Sequence, residues 1–315
     1  MARLLRSHYS GLLTLAIALV LVPLVTGNNF HLRLAALVWA TGLAAVGLNI
    51  LMGEAGQVSL GHAAFMGVGS YAVALGPPNF GLHPLACVPI GLAISCLLAY
   101  AIGGRVLKLR GYYLSVATLA FGYLVSLVIV NEPSITGGPD GMSVPRIVLF
   151  GARLTSASFW YWTSAAILVI GAALALNLKR SPSGRAFRAI HDSETAASSL
   201  GVDIARKKLF AFVLAAAYAS IAGSLIGLMN GFAAPSSASF LQSVELVTMV
   251  VIGGTGSVPG AIVGAAILVI LPQALTIFHE YETALIGLII ILFMIFLRKG
   301  VVPSLAELVG GRACA

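Results

Sequence analysis

Charge is what this sequence has least of. Lys, Arg, Asp and Glu make up only 9% of its 315 residues, against about 25% in ordinary soluble domains. Hydrophobic residues make up 59%, and the mean hydropathy is +1.01, so a soluble globular domain is excluded. The apolar runs are continuous and do not alternate with polar residues, which excludes a transmembrane β-barrel. The class that remains is an all-α, polytopic membrane protein.

The side chains that an enzyme or a metalloprotein needs are also scarce. The three cysteines are Cys87 and Cys96, in one apolar segment, and Cys314 near the C-terminus. They form no C-x-x-C pair, and H-E-x-x-H is absent, so we predict neither a disulfide framework nor a metal site. No nucleophile with a neighbouring base is visible, which argues against an intramembrane enzyme.

The few charges are mostly positive and flank the apolar segments. With ten spans and a cytoplasmic N-terminus, all of the 18 basic residues except Arg33, Arg146 and Arg153 are cytoplasmic, as the positive-inside rule expects. Both termini are therefore predicted to be cytoplasmic. Aromatic and basic residues are not interleaved, so no nucleic-acid partner is predicted. The ten spans are 11–27, 32–53, 57–76, 84–104, 111–131, 159–178, 209–231, 241–255, 257–276 and 283–298.

We predict one transmembrane domain over residues 1–315. It carries an extracytoplasmic loop at 132–158 and a cytoplasmic loop at 179–208. The run 11–27 is similar to a secretory signal but has a poor small-residue cleavage site. We interpret it as an uncleaved first helix.

Two of the predicted spans are expected to be short, broken or re-entrant. The segment 57–76 is rich in Gly and begins with polar residues, and 241–255 ends in Gly-Gly-Thr-Gly. Broken helices occur where they are buried in protein or line a cavity, and polar residues inside spans are functional candidates. A lone His on an apolar face is more often structural, and Glu54 is expected to be solvated at the cytoplasmic interface. The candidates for the translocation path are Asn49, Gln57, Ser59, His62, Ser70 and Glu245.

The most polar stretch, residues 181–201, lies between two long apolar segments. Ser181 as N-cap, Pro182 as first helical residue and Gly201 as a left-handed cap predict one helix of about five turns. Arg188 and Asp192 are four residues apart and are placed to pair. A helix held by lipid phosphates is one interpretation, and a helix gripped by a soluble partner is the one favoured. Its apolar face is predicted to contain Phe187, Ile190, Ala197 and Leu200.

Four motifs follow one another over most of residues 45–300. They are Gly56-Gln-Val-Ser-Leu-Gly-His-Ala-Ala-Phe65 with Gly67, Gly69 and Tyr71; Thr136-Gly-Gly-x-x-Gly141; the 181–201 run with Lys208-Leu-Phe-Ala-Phe212; and Gly253-Gly-x-Gly256 with Pro259-Gly260. In this order they resemble the LivM-type permeases of branched-chain amino acid ABC transporters. His191 stands where that family often has Arg, which is a mild departure.

The resemblance implies a non-catalytic permease subunit of an ATP-driven importer in a bacterial inner membrane. The segment 181–201 would be a coupling helix, similar to the EAA motif, seated in a groove of a cytoplasmic ATPase. The implied partners are a second homologous permease, two ATPase subunits, a periplasmic or extracellular solute-binding protein and membrane lipid. The implied coupling residues are Gly184, Arg185, Arg188, Asp192, Glu194, Ala196, Ala197 and Gly201, and the implied structural loop residues are Thr136, Gly137, Gly138 and Gly141.

Nucleotide binding is not expected in this chain. The glycine-rich run from Gly253 to Gly260 lacks the Lys and the Ser or Thr of a G-x-x-x-x-G-K-[ST] loop. No cofactor is therefore predicted here, and ATP and Mg are assigned to the partner ATPase subunits.

Two alternatives to amino acid import stay open at this point. One is an ABC permease for urea, an amide or another small solute. The other is a secondary transporter driven by an ion gradient, although such proteins usually place acids or paired charges at mid-membrane, and mid-span acids are nearly absent here.

Overall fold

The structure is a computed structural model. It describes residues 28–109, 111–149, 152–153, 156–274 and 300–304, together with residues 19, 20, 23, 287 and 291. The predicted first and last spans, 11–27 and 283–298, lie almost entirely outside the described residues.

The described residues form a bundle of helices, which confirms the all-α, polytopic class. Five helices are long and apolar enough to cross a membrane: Asn29–Glu54, Pro84–Val106, Tyr112–Asn131, Ala157–Arg180 and Ile204–Asn230. The described helices are α1 Asn29–Asn49, α2 His62–Phe80, α3 Pro84–Val106, α4 Tyr112–Asn131, α5 Pro133–Thr136, α6 Ala157–Arg180, α7 Pro182–Asp192, α8 Glu194–Ser199, α9 Ile204–Asn230, α10 Phe240–Gly253 and α11 Val258–Ala274.

Short turns and strands connect these α-helices. A π-helical turn, Ile50–Glu54, extends α1, and 3₁₀ turns occupy Gly138–Asp140 and Pro235–Ala238. Four two-residue strands are β1 Met142–Ser143, β2 Val148–Leu149, β3 Ala152–Arg153 and β4 Phe232–Ala233. Strand β1 pairs antiparallel with β4, with Met142 opposite Ala233, and β2 pairs antiparallel with β3, with Val148 opposite Arg153.

The bundle has two distinct ends. The polar end carries α7, α8, the π-turn and the 254–257 loop, since His191 reaches Gly53 O and Lys179 reaches Gly256 O. The opposite end carries the segments 132–149 and 231–239, which the β1–β4 pair joins. The predicted loops 132–158 and 179–208 therefore lie at opposite ends.

Helices α1 and α9 form the centre of the bundle. Buried residues make up 83% of the most apolar stretch of α1 and its π-turn and 61% of that of α9, but only 22% of α3 and 28% of α4. Helix α1 packs on α6, α9 and α11, and α9 packs also on α2 and α3. A helix that is apolar all round suits such a central place, whereas α3 and α4 keep much of their apolar surface outward.

Small residues set the distance between α2 and α9. A Cβ on Gly223 would overlap the carbonyl of Met66, and one on Gly69 would overlap the carbonyl of Ser220. The hydroxyl of Ser224 donates to Gly69 O at 3.0 Å across the same interface. The small-residue face of α9 is thus used for packing within the chain, where close backbone approach replaces the hydrophobic drive that lipid does not supply.

The segment predicted to span 57–76 begins without a helix. Residues 56–61 are not helical, and α2 starts at His62, which packs on Phe212 more than two turns into α9. Side chains of neighbouring helices hold this segment: Thr118 Oγ accepts from Leu60 N at 3.1 Å, and Ser115 Oγ donates to Val58 O at 3.2 Å. The expectation of a broken span is confirmed here.

The other doubtful span is a short helix. Helix α10 has 14 residues, or about 21 Å, which is less than the roughly 30 Å of a hydrocarbon core. Its N-cap Ser239 accepts from Gln242 N at 3.2 Å, and Ser243 Oγ accepts from Ala63 N at 3.1 Å. The segment 231–239 leads into α10 and packs on the bundle, with Ala238 against Gly67.

A hydrogen bond between α9 and α6 gives a test of this packing. Tyr218 is buried, and its hydroxyl donates to Gly171 O at 2.8 Å. We expect Tyr218→Phe to destabilise the protein by about 0.6 kcal/mol, the mean for such bonds in membranes. Thermal unfolding in detergent measures this. The control is Tyr123→Phe, at a residue that is 58% exposed, and equal midpoints for the two variants would contradict the assignment.

Candidate functional site

The polar segment forms two helices, so the prediction of one helix of five turns was wrong. Ser193 breaks it with extended backbone (φ −162°, ψ 115°), and its hydroxyl accepts from Ala196 N at 3.3 Å to start α8. Serine competes with helical geometry by capping, so it favours such a break. The predicted start is confirmed: Pro182 is the first residue of α7, and Ser181 Oγ accepts from Gly184 N at 3.3 Å.

Gly201 ends the second helix as predicted. It has φ +79°, a conformation that favours glycine. Its N–H donates to Ser198 O at 3.0 Å, and Val202 N donates to Ala197 O at 3.1 Å. These two bonds form a Schellman motif, which turns the chain back toward α9.

The break at Ser193 changes which residues face inward. Phe187, Ile190 and Ala197 are buried, as predicted, but Leu200 is 80% exposed. Because Ser193 is not helical, α8 does not continue the helical phase of α7, and Leu200 leaves the predicted face. An apolar side chain is therefore presented at the tip of the segment.

The eight implied coupling residues divide into three groups. Gly184 and Ala197 are buried, and a Cβ on Gly184 would overlap the carbonyl of Leu178. The charged groups of Arg188 and Glu194 are engaged within the chain, as described below. The other members, Arg185, Asp192, Ala196 and Gly201, are exposed, as is Arg188.

Glu54 is buried in an ion-pair cluster, so the expectation that it is solvated was wrong. Its side chain is 9% exposed, and its Oε1 lies 2.5 Å from Lys179 Nζ. Its Oε2 lies 3.5 Å from an Nη of Arg188, and Lys179 Nζ also donates to Gly256 O at 2.6 Å. We call Glu54, Lys179 and Arg188 the Glu54 cluster. Arg188 thus pairs with Glu54 and not, as predicted, with Asp192.

The sequence contains the signal for this cluster. The predicted topology places residue 54 and residues 179–188 on the same side of the membrane. The chain has only 10 acidic residues, and Glu54 directly follows an apolar span. Because several basic residues lie on the same side of the membrane, Glu54 has cationic partners available. A cation at the C-terminal end of α6 is also favoured by the helix dipole.

The π-turn and the 254–257 loop meet beside this cluster. Asn49 Oδ1 accepts from Gly256 N at 2.8 Å, and His191 Nδ1 lies 3.2 Å from Gly53 O. A Cβ on Gly53 would overlap Gly256 N. Asn49, a candidate for the translocation path, is therefore a contact between α1 and the glycine-rich loop.

Glu194 is tied to α9 by a second ion pair. Its Oε1 lies 2.6 Å from Lys208 Nζ, and the Lys208 side chain is only 2% exposed. Lys207 Nζ donates to Ser183 Oγ at 3.0 Å. The start of α9 thus holds both α7 and α8.

The other translocation candidates lie in separate places. His62 is buried, with Nδ1 2.9 Å from Ser59 Oγ and Phe212 against its ring. The buried Gln57 donates from Nε2 to Ala55 O at 3.0 Å. The other ring nitrogen of His62, Nε2, is buried with no hydrogen-bond partner among the described residues, so the structural role that the sequence favoured stays a prediction.

The remaining two candidates differ in burial. Ser70 is buried where α2 meets Gly227 of α9. Glu245 is exposed on α10, where its Oε2 accepts from Gln242 Nε2 at 3.2 Å. The structure therefore does not bring the six candidates into one cavity, and their role in a path stays a prediction.

Thr136 and its glycines form a tight loop at the opposite end. Thr136 Oγ donates to Ile129 O at 2.6 Å and accepts from Gly138 N at 3.2 Å. Gly137, Gly138 and Gly141 have φ between +64° and +77°. This geometry agrees with the structural role that was predicted.

Two cavities lie away from the polar end. One of about 530 Å³ lies between α2, α3 and α4, with apolar walls that include Phe121, Val125 and Tyr71. A smaller one, of about 140 Å³, is lined by Arg33 and Arg146 at the opposite end. Within the described part of the chain, no group of three His, Cys, Asp or Glu side chains could hold a metal ion.

Comparison with known proteins places this architecture in a family. The family model for the permease component of the branched-chain amino acid transport system matches residues 30–294. The chain belongs to this permease family. No solved structure matches it.

Relatives in this permease family include both LivM and LivH proteins. The chain is 33% identical over 282 residues to the high-affinity branched-chain amino acid transport permease LivM of Salmonella typhimurium and of Escherichia coli K12. These alignments cover 82% of this chain and 66% of each LivM protein, so the chain spans slightly less than two thirds of their length. It is 27% identical to LivH of Salmonella typhimurium over 82% of this chain and 90% of LivH. These relatives are permease proteins of branched-chain amino acid transport systems.

The contact between Gly53 and the 254–257 loop can be tested within this permease. Gly53→Ala places a methyl group on Gly256 N, so we expect the loop to be displaced at a cost of about 1–3 kcal/mol. Hydrogen–deuterium exchange of peptides covering 253–257 should rise, because the Asn49 bond to Gly256 N is lost. The matched control is Gly104→Ala, which meets nothing within 4 Å. Unchanged exchange in the Gly53 variant would contradict the close contact.

Proposed function

We propose that this chain is a non-catalytic permease subunit of an ATP-driven importer of branched-chain or related hydrophobic amino acids. It would form half of the translocation path, with a second homologous permease as the other half. Two cytoplasmic ATPase subunits would bind ATP and Mg, and a solute-binding protein outside the membrane would deliver the substrate. Membership of the branched-chain amino acid permease family supports this proposal.

One observation supports the coupling role most directly, and it is the orientation of α7. A helix held on lipid would turn its apolar face outward. Here Phe187 and Ile190 are 0% and 2% exposed, so the apolar face is used inside the protein. The face left for a partner carries Arg185 and Asp192, which favours a soluble protein over a membrane surface.

Leu200 adds an exposed apolar side chain to this surface. It is 80% exposed at the end of α8, next to the turn at Gly201. Protein interfaces commonly combine one buried apolar anchor with surrounding charged contacts that fix register. We propose that Leu200 enters the ATPase groove, while Arg185 and Asp192 make charged contacts at its rim.

The charge distribution supports a cytoplasmic position for the polar end. The basic residues from Lys179 to Lys208 lie there, whereas Arg33 and Arg146 line a cavity at the opposite end. By the positive-inside rule this supports an outside position for the segments 132–149 and 231–239, where the binding protein would dock. A bacterial inner membrane with both termini cytoplasmic is the corresponding location.

The docking role of Leu200 predicts a sharp loss of partner binding. Leu200→Asp should abolish recovery of an ATPase when detergent-solubilised protein is pulled down from its native membrane, because it buries a charge in the groove. Leu82→Asp is the control, since Leu82 is 36% exposed on the segment between α2 and α3. Wild-type and control should recover the ATPase equally. Recovery by the Leu200 variant as well would contradict the docking role.

The substrate class is tested by uptake. Cells that lack this chain should lose ATP-dependent uptake of radiolabelled leucine and regain it with the wild-type gene. Urea uptake should be the same in both strains. A loss of urea uptake with leucine uptake intact would replace the proposal with the small-solute alternative, and transport that survives ATP depletion would favour a gradient-driven transporter.

A further inference from the structure

We propose that Glu54 and Lys208 are positioning residues that join the two coupling helices to the two central helices of the bundle. Glu54 would connect α7 to α1, and Lys208 would connect α8 to α9. This inference rests on the proposed function, because it assumes that an ATPase moves α7 and α8. It adds the route by which that movement enters the membrane part of the chain.

The first connection runs from α7 to the end of α1. Arg188 of α7 reaches Glu54 Oε2 at 3.5 Å, and His191 Nδ1 lies 3.2 Å from Gly53 O in the same π-turn. Arg188 also donates to Lys179 O at 3.1 Å, and Lys179 is the second cation on Glu54. Displacement of α7 therefore acts on the carboxylate that ends the α1 extension.

The connection continues into the glycine-rich loop. Lys179 Nζ donates to Gly256 O, and Asn49 Oδ1 accepts from Gly256 N. The 254–257 loop lies between α10 and α11, so the Glu54 cluster reaches three membrane helices besides α6. The π-turn at the end of α1 is the point at which these contacts converge.

The second connection runs from α8 to α9. Glu194 begins α8, and its Oε1 lies 2.6 Å from Lys208 Nζ in the first turns of α9. Lys208 is 2% exposed, an unusual burial for lysine, which is almost never fully buried without a partner. Lys207 adds a bond from α9 to Ser183 of α7.

The two connections end on helices that touch each other. A Cβ on Gly47 of α1 would overlap the side chain of Tyr218 of α9, so the helices pack with no space between them. Closely packed interiors transmit displacement and do not absorb it. Ser193 between α7 and α8 is not helical, so the two helices are not one rigid rod, and each has its own ion pair to a central helix.

The same residues could instead be present only for stability, and a suitable measurement separates the two roles. A purely stabilising ion pair would lower complex yield, ATP hydrolysis and uptake together when it is removed. A positioning pair would leave ATP hydrolysis and complex yield in place while uptake falls. The ratio of ATP hydrolysed to leucine transported is therefore the discriminating quantity.

The experiment uses the whole complex, purified from its native membrane through a tag on this chain and reconstituted into liposomes. The variants are Glu54→Gln and Lys208→Met. We expect each to raise the number of ATP molecules hydrolysed per leucine transported by about fivefold or more, the lower end of usual coupling between sites. The controls are Glu132→Gln and Lys108→Met, which change exposed residues of the same types and should leave the ratio unchanged.

A charge exchange protects the test against simple misfolding. Glu194→Lys combined with Lys208→Glu restores an ion pair of opposite polarity and should recover at least part of the coupling that Lys208→Met loses. An unchanged ratio in both single variants, or a parallel fall of yield, hydrolysis and uptake without recovery in the exchange, would overturn the inference.

Failure of the proposed function would look different. In that case the wild-type preparation itself would contain no ATPase or would show no ATP-dependent leucine uptake. If the wild-type complex hydrolyses ATP and imports leucine, and the variants do so at the same ratio of ATP hydrolysed to leucine transported, only the positioning role is contradicted.

Discussion

Close contact between backbones at small residues holds this bundle together. Lipid chains are as apolar as the helices, so burying leucine against leucine gains little in a membrane, and packing must come from shape. Gly69 and Gly223 let the backbones of α2 and α9 come into contact, and Gly47 makes room on α1 for the side chain of Tyr218 of α9. The positions of α2, α3 and α6 around this centre follow from those contacts, because each packs on α1 or α9.

The second constraint is that buried charge needs a partner. Glu54 and Lys208 are the most buried charged groups among the described ion pairs, and both face the polar end. An ionised group left alone there would cost several kcal/mol. The segment 181–201 supplies Glu194, the partner of Lys208, and Arg188, a second cation for Glu54 beside Lys179. The same segment offers Arg185, Asp192 and Leu200 to the outside. It therefore has an inner face that satisfies the bundle and an outer face available to a partner.

Composition and hydrophobic runs were enough to predict the membrane class, and local capping signals predicted both ends of the polar segment, Ser181 and Gly201. The break at Ser193 was missed because a serine within a helical pattern can either continue the helix or cap a new one. The sequence does not show whether its hydroxyl accepts from a backbone N–H. The ion pairs of Glu54 were missed for a different reason. Its partners are more than 120 residues away in sequence, and predicting the spans shows which residues share a side of the membrane but not which of them form ion pairs. For His62 the sequence favoured a structural role. The structure gives Nδ1 a hydroxyl partner and leaves the buried Nε2 without one, so that role stays a prediction.

The non-helical segment 56–61 has a mechanical consequence. Its amides and carbonyls are held by hydroxyls of α4, at Thr118 and Ser115, and the first turn of α2 is held by Ser243 of α10. Losing one such bond costs on the order of 1 kcal/mol, whereas bending an intact helix breaks several backbone bonds at once. The segment is thus a flexible connection between two rigid helices, α1 and α2. A shift of α4 or α10 can move α2 while every helix in the bundle keeps its own hydrogen bonds.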